Sequence, residues 1–298
     1  MAPRATVAVV TFNDNARVGG NSARRRGGTV AAVGGGAVGI GAIAVLLISL
    51  FTGTDLTGLL GGGGAAPQTG GERIANCETG QDANAGDDCR LAAASLNLDQ
   101  FWGRTLEGYR DPQLIIVDGS TSTQCGTASN ATGPFYCPPE ETVYVDPTFF
   151  AILREQFDTT AGPLAQLYVL AHEYGHHVQN LIGVMEQYPN NGTGPASNGV
   201  RTELQADCFA GAWVTDAEEQ VDENGTPYLE PPTAQQIADA LAAAASVGDD
   251  HIQAESGGVV NPESWTHGSS EQRQRWFDAG RAGGVEACDT FSVPAESL

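Results

Sequence analysis

LAQLYVLAHEYGHHVQNLIG, residues 164–183, decides how the chain is read. Leu164, Leu167, Val169, Leu170, Val178, Leu181 and Ile182 recur at near-helical spacing, so the stretch predicts an amphipathic helix. Pro163 suits the first turn of that helix and Gly183 suits its end. Residues four apart share a helix face, so His172 and His176 can present two imidazoles to one ion. Glu173 lies one step round, within reach of a metal-bound water without being a ligand. Without a metal, this polar trio between apolar flanks would be costly to half-bury. The H-E-x-x-H arrangement suits a zinc hydrolase.

The third ligand has to come from elsewhere. In the long form H-E-x-x-H-x-x-G-x-x-H, Gln179 stands where the glycine would be and Ile182 where the third histidine would be, which excludes the metzincin pattern. A second predicted helix, RTELQADCFAGAWVTDAEE (201–219), supplies Glu203 and Asp207 on one face, with Leu204, Phe209 and Trp213 free to face the core. Glu203 can complete a His/His/Glu site for one Zn²⁺ with one position open. Asp207 can accept the free N–H of one histidine and fix its tautomer. His177 follows His176 by one residue, points to a different side and reads as a packing or polar partner. His267, just before a predicted helix capped by Ser269, is the candidate donor to a developing oxyanion. A surface or capping histidine is its plain alternative. His251, beside Asp249 and Asp250, reads as a solvated helix end.

The flanking chain sets the expected topology. Residues 1–29 carry five arginines against Asp14 and read as a disordered basic arm. Residues 30–51, VAAVGGGAVGIGAIAVLLISLF, are uncharged and, at helical rise, long enough for a bilayer core. Arg24, Arg25 and Arg26 just before it orient the N-terminus to the cytoplasm and the rest of the chain outward. A cleaved leader is the rival reading, but the run is long for one and lacks a convincing small-x-small site. Residues 52–72 read as a Gly-rich tether, leaving 73–298 as one domain with a sizeable core. Five arginines against one aspartate put +4 on the first 53 residues, so with a total of −22 the remainder carries −26. That acidity excludes nucleic acid as a partner.

Six cysteines, Cys77, Cys89, Cys125, Cys137, Cys208 and Cys288, fall in this outer part and include no C-x-x-C. An even count on the expected outer side of a membrane argues for disulfides. Fifteen pairings are possible; local spacing favours Cys77–Cys89 and Cys125–Cys137, leaving Cys208–Cys288. Residues 91–109 and a run from Thr233 to about Val247 predict further helices, and LIIVD (114–118) and TVYVD (142–146) predict strands. The second of these, beside the metal helix, is the candidate edge for an extended peptide.

The order of CGTASNATGPFYCPPEETVYVD, AHEYGHHVQ, ELQADCFAGAW, ALAAAASVGDDHIQ and THGSSEQRQRWF resembles the YpfJ-like family of bacterial neutral zinc metallopeptidases. The resemblance covers nearly the whole chain. It implies an α+β, zincin-like domain, mostly helical with a small sheet, preceded by one transmembrane helix. By position it implies zinc on His172, His176 and Glu203, with Glu173 as acid/base. The expectation is a membrane-anchored, extracytoplasmic peptidase acting on peptides or proteins. A membrane-tethered zinc-binding module or chaperone with little proteolysis is the alternative.

Overall fold

The computed structural model describes residues 11–27, 71–156, 160–246, 248–255 and 260–298. The strands are β1 (Arg24–Gly27), β2 (Glu72–Arg73), β3 (Gln113–Asp118), β4 (Ser120–Thr123), β5 (Gly126–Ser129), β6 (Phe135–Cys137) and β7 (Thr142–Val145). The helices are α1 (Gly80–Ala85), α2 (Asp87–Thr105), α3 (Phe149–Gln156), α4 (Pro163–Leu181), α5 (Val184–Gln187), α6 (Asn198–Glu219), α7 (Ala234–Ser246), α8 (Asp249–Glu255) and α9 (Ser270–Gly283). Five strands form a mixed sheet in the order β2-β1-β3-β7-β6, and β4 and β5 form a separate pair. Leu114, Ile115, Ile116, Val143, Tyr144 and Val145 are all buried, as the central strands of a covered sheet require.

Helix α4 runs through the middle, packed on α2, α6 and α7 and on the β6–β7 side of the sheet. Pro163 occupies its first turn, and Gly183, at φ +74°, carries the chain out of it. Helix α6 starts at Ser197, whose side chain accepts the Val200 N–H, and α9 starts at a capping box of Ser269 and Gln272. Glycine sets how closely these helices approach. A Cβ on Gly175 would lie 2.9 Å from Ala206 Cα, and one on Gly280 would collide with the Cys208 carbonyl. The H-E-x-x-H helix therefore meets α6 backbone to backbone, and α6 meets α9 the same way. Trp213, fully buried, ties α6 to α2 by donating to Asn97 Oδ1 at 2.7 Å.

Three disulfides join Cys77–Cys89, Cys125–Cys137 and Cys208–Cys288, with Cα separations of 5.2, 5.8 and 5.5 Å. The last fastens the C-terminal segment to α6, where Arg201 Nη1 donates to the Val293 carbonyl at 2.9 Å and Gln205 Nε2 to the Cys288 carbonyl at 3.0 Å.

Three expectations are corrected. The first is the disordered arm: residues 11–27 belong to the domain. Phe12, Ala16, Val18 and Ala23 are buried, and β1 pairs parallel with β3 and antiparallel with β2. The second is the single-pass membrane protein with its extracytoplasmic domain. Among the described residues no helix is long and apolar enough to cross a membrane, and residues 30–51 lie outside those described. A single crossing there would also put a bilayer between β1 and β2, which are paired: Arg24 with Arg73 and Arg25 with Glu72. The misleading signal was an uncharged run diluted by five glycines. The fold class is accordingly a mixed α/β domain, and among the described residues no helix matches the transmembrane helix expected ahead of it. The third correction concerns the substrate edge. Strand β7 is bonded on both sides, to β3 and β6, so the edge beside α4 is the short FYC strand β6, which alternation could not reveal in three residues.

Candidate metal centre

Ligand atoms of His172, His176 and Glu203 all lie within 4.8 Å of one another, and all three side chains are buried. Helix α4 presents the two histidines one turn apart, with ring centroids 4.7 Å apart, and α6 aims Glu203 between them. Glu203 Oε2 is 3.2 Å from His172 Nε2, and Glu203 Oε1 is 3.4 Å from His176 Nε2. Each separation is close to the edge of a tetrahedron around zinc, roughly 3.3–3.4 Å for bonds of about 2.0–2.1 Å, and the two end on different oxygens of the one carboxylate. Glu203 Oε1 has no hydrogen-bond partner among the described residues, although its carboxylate is 2 % exposed. Two imidazoles and a buried carboxylate with an unsatisfied oxygen therefore fit a zinc ion, and the donor set suits that metal.

Each histidine is held from behind through Nδ1, by a different kind of group. His172 Nδ1 is 2.8 Å from Asp207 Oδ1. Asp207, fully buried, also accepts Arg273 Nε at 2.8 Å, Arg273 Nη2 at 2.9 Å and the Tyr168 hydroxyl at 2.5 Å. Burial alone would raise the Asp207 pKa, but Arg273 and His172 outweigh it and hold the carboxyl well below the usual range. His176 Nδ1 instead meets Gln179 Oε1 at 2.9 Å. The amide of Gln179 is oriented by donating to the Thr202 carbonyl at 2.7 Å and to Gln205 Oε1 at 3.0 Å. Both imidazoles thus turn Nε2 toward Glu203.

Glu173 is buried, and burial pushes its carboxyl pKa up against the opposing pull of His176 and His172. His172, His176, Glu203, Glu173 and His267 line a single cavity of ≈ 320 Å³. His267 comes from the turn between α8 and α9. The buried carboxylate of Asp249 builds that turn, its Oδ2 accepting the N–H groups of Thr266, His267 and Gly268 at 2.7, 2.6 and 2.9 Å. His267 Nδ1 lies 2.9 Å from Thr266 Oγ1 and 3.3 Å from Asp249 Oδ1. Asp249 is therefore an internal strut rather than part of a solvated helix end.

His177 stands apart from the cluster. Its Nε2–H donates to the Arg110 carbonyl at 2.6 Å and its Nδ1 lies 3.0 Å from the Tyr136 hydroxyl, contacts that suit a neutral ring tying α4 to β6. Burial lowers its pKa in the same sense. Sequence reasoning missed Gln179, Tyr168 and Arg273. Gln179 carries a local signal, lying one turn beyond His176, and Tyr168 likewise lies one turn before His172. Arg273, more than sixty residues beyond Asp207, carries none.

A family model described as "putative neutral zinc metallopeptidase" matches residues 10–291. Rv2575 of Mycobacterium tuberculosis, described as uncharacterized, is 50 % identical over 222 residues, covering 74 % of this chain and 76 % of its own. YpfJ of Escherichia coli K12, also described as uncharacterized, is 38 % identical over 259 residues, covering 83 % of this chain and 84 % of its own. No solved structure matches the chain. The family model takes in β1 and the buried Phe12 as well as the metal helices, in keeping with a domain that begins before the glycine-rich run. The chain belongs to the neutral zinc metallopeptidase family.

Proposed function

We propose that this protein hydrolyses peptide bonds with one zinc ion held by His172, His176 and Glu203 and with Glu173 as general base. The observation that carries the reading is the convergence of three buried ligand atoms within 4.8 Å on the wall of a cavity that Glu173 also lines. A zinc ion held there would lower the pKa of its water toward about 7 and polarise a carbonyl. Glu173 takes the proton of the attacking water as its oxygen bonds to the carbonyl carbon. It then passes that proton to the amide nitrogen as the C–N bond breaks. A carboxyl raised by burial suits both halves of that exchange. His267, which lines the same cavity, is the residue assigned to stabilise the carbonyl oxygen as it becomes an oxyanion.

The test uses the full chain, because residues 11–27 are part of the fold. Zinc content and cleavage of an unfolded protein are measured for wild type and Glu173→Ala. The expected result is one zinc in each, with cleavage reduced about 10²–10⁴-fold or more in the variant. Zinc in both with equal cleavage would remove Glu173 from the mechanism. Zinc in both with cleavage in neither would favour a zinc-binding module.

A further inference from the structure

Residues 182–197, which join α4 to α6, contribute Met185, Tyr188 and Asn190 to the lining of the cavity. The only helix within this loop, α5, is four residues long. The far half of the loop is tied to the segment before α9. Thr193 Oγ1 donates to the Glu263 carbonyl at 2.7 Å, and the Gly194 N–H donates to the Trp265 carbonyl at 2.8 Å. The Tyr188 end is held differently. Its half-buried ring lies on the half-buried ring of Phe291, with centroids 4.0 Å apart and planes 14° from parallel.

Phe291 comes from the C-terminal segment, and that segment is built onto the helix that carries Glu203. Cys288 is disulfide-bonded to Cys208 of α6. Thr290, fully buried, donates from Oγ1 to the Arg201 carbonyl at 2.7 Å, and the Arg201 guanidinium donates to the Thr290 and Val293 carbonyls. Asp289 Oδ1 accepts the Phe291 and Ser292 N–H groups at 3.2 and 3.0 Å, which fixes the backbone at Phe291. Arg201 stands two residues before Glu203, so Phe291 is kept in register with a candidate metal ligand. A loop aromatic that a substrate had to order would weaken binding by the rotamer freedom it lost, and a ring already backed on one face avoids that cost.

We propose that Phe291 is a positioning residue of the peptidase, holding the ring of Tyr188 ready for an extended substrate to pack against. The inference rests on the peptidase reading of the metal centre.

Binding to the zinc-loaded full chain, measured by calorimetry without turnover, separates the inference from the reading it rests on. Acetohydroxamate reports the metal alone. Two longer probes carry the same zinc-binding group at the C-terminal or the N-terminal end of an alanine tripeptide, and report the metal together with the cavity walls. In Phe291→Ala, one of the longer probes is expected to bind about 2–10-fold more weakly, the worth of one aromatic pair, with acetohydroxamate affinity and zinc content unchanged. Phe291→Tyr should restore wild-type affinity. Tyr188→Ala should lose at least as much, and adding Phe291→Ala to it should cost nothing further, because Phe291 acts through that ring. Phe291→Leu, which keeps an apolar side chain without a flat ring, should show the same loss and serves where the alanine variant does not fold. Three results would overturn the brace and leave the peptidase reading standing: both longer probes unaffected in the Phe291 variants, an acetohydroxamate affinity that falls with theirs, or losses that add in the double variant. Longer probes that bind wild type no tighter than acetohydroxamate would overturn the peptidase reading and the brace with it.

Discussion

The two histidines of the motif sit one turn apart on the same helix, yet what stands behind them differs in kind. His172 leans on a carboxylate, Asp207, which is itself neutralised by Arg273 and capped by Tyr168. His176 leans on an amide, Gln179, which carries no charge and is anchored to the backbone and a side chain of α6. The first arrangement spans three helices, α4, α6 and α9, and the second only two. A buried carboxylate needs a buried cation, so the His172 side drags a third helix into the metal centre. An amide satisfies donor and acceptor together, so the His176 side needs no such counterpart. One side therefore couples the site to global stability, and the other tunes one ligand locally.

The strongest way to break that contrast is Asp207→Ala. It leaves Arg273, 3 % exposed, without its ion-pair partner, and should lower the unfolding free energy by about 3–5 kcal/mol. Urea unfolding checks this, and a loss of less than about 1 kcal/mol would mean the ion pair is not what joins α6 to α9. Zinc affinity should fall as well, by about 10–100-fold.

A smaller effect is expected from Gln179→Ala. Zinc affinity, followed by competition with a chromogenic chelator, should drop about tenfold, because His176 loses the group that orients it. Stability should change far less than in Asp207→Ala, since no charge is stranded. A variant destabilised as much as Asp207→Ala would erase the distinction between the two sides.

The least effect belongs to Tyr168→Phe. It removes one of the hydrogen bonds to Asp207 and leaves both Arg273 bonds in place. The expected cost is about 0.5–1.5 kcal/mol in unfolding, with zinc affinity changed by no more than a few-fold. A loss of zinc comparable to that of Asp207→Ala would show that the hydroxyl, rather than the guanidinium, holds the carboxylate.

What could be read in advance follows the range of the interactions involved. The four-residue spacing of His172 and His176 is a property of any α-helix, so their shared face needs no tertiary information. The same holds for the caps at Pro163, Ser269 and Gly183, which act within one turn. Glu203 was accessible by elimination among acidic pairs on a second helix, whereas its approach to within 3.4 Å of both imidazoles depends on Gly175 letting the two helices touch. The cysteine pairs at a separation of 12 follow from local spacing, and the third at a separation of 80 followed only as the remainder. The readings that failed, the arm and the membrane span, rested on composition. Composition cannot register that Arg24 and Arg25 pair with Arg73 and Glu72 across the intervening residues 28–70.

By itself, then, the amino-acid order pointed to the candidate metal site: two imidazoles on one face, an adjacent carboxylate, and a second helix with an acid to offer. Those are short-range facts, because helical geometry converts spacing directly into direction. The tertiary structure alone decided which groups stand behind the candidate ligands, and that β6 and not β7 is the edge beside them. Each of these depends on contacts between segments far apart in the chain, whose pairing is set by packing and burial rather than by any local period.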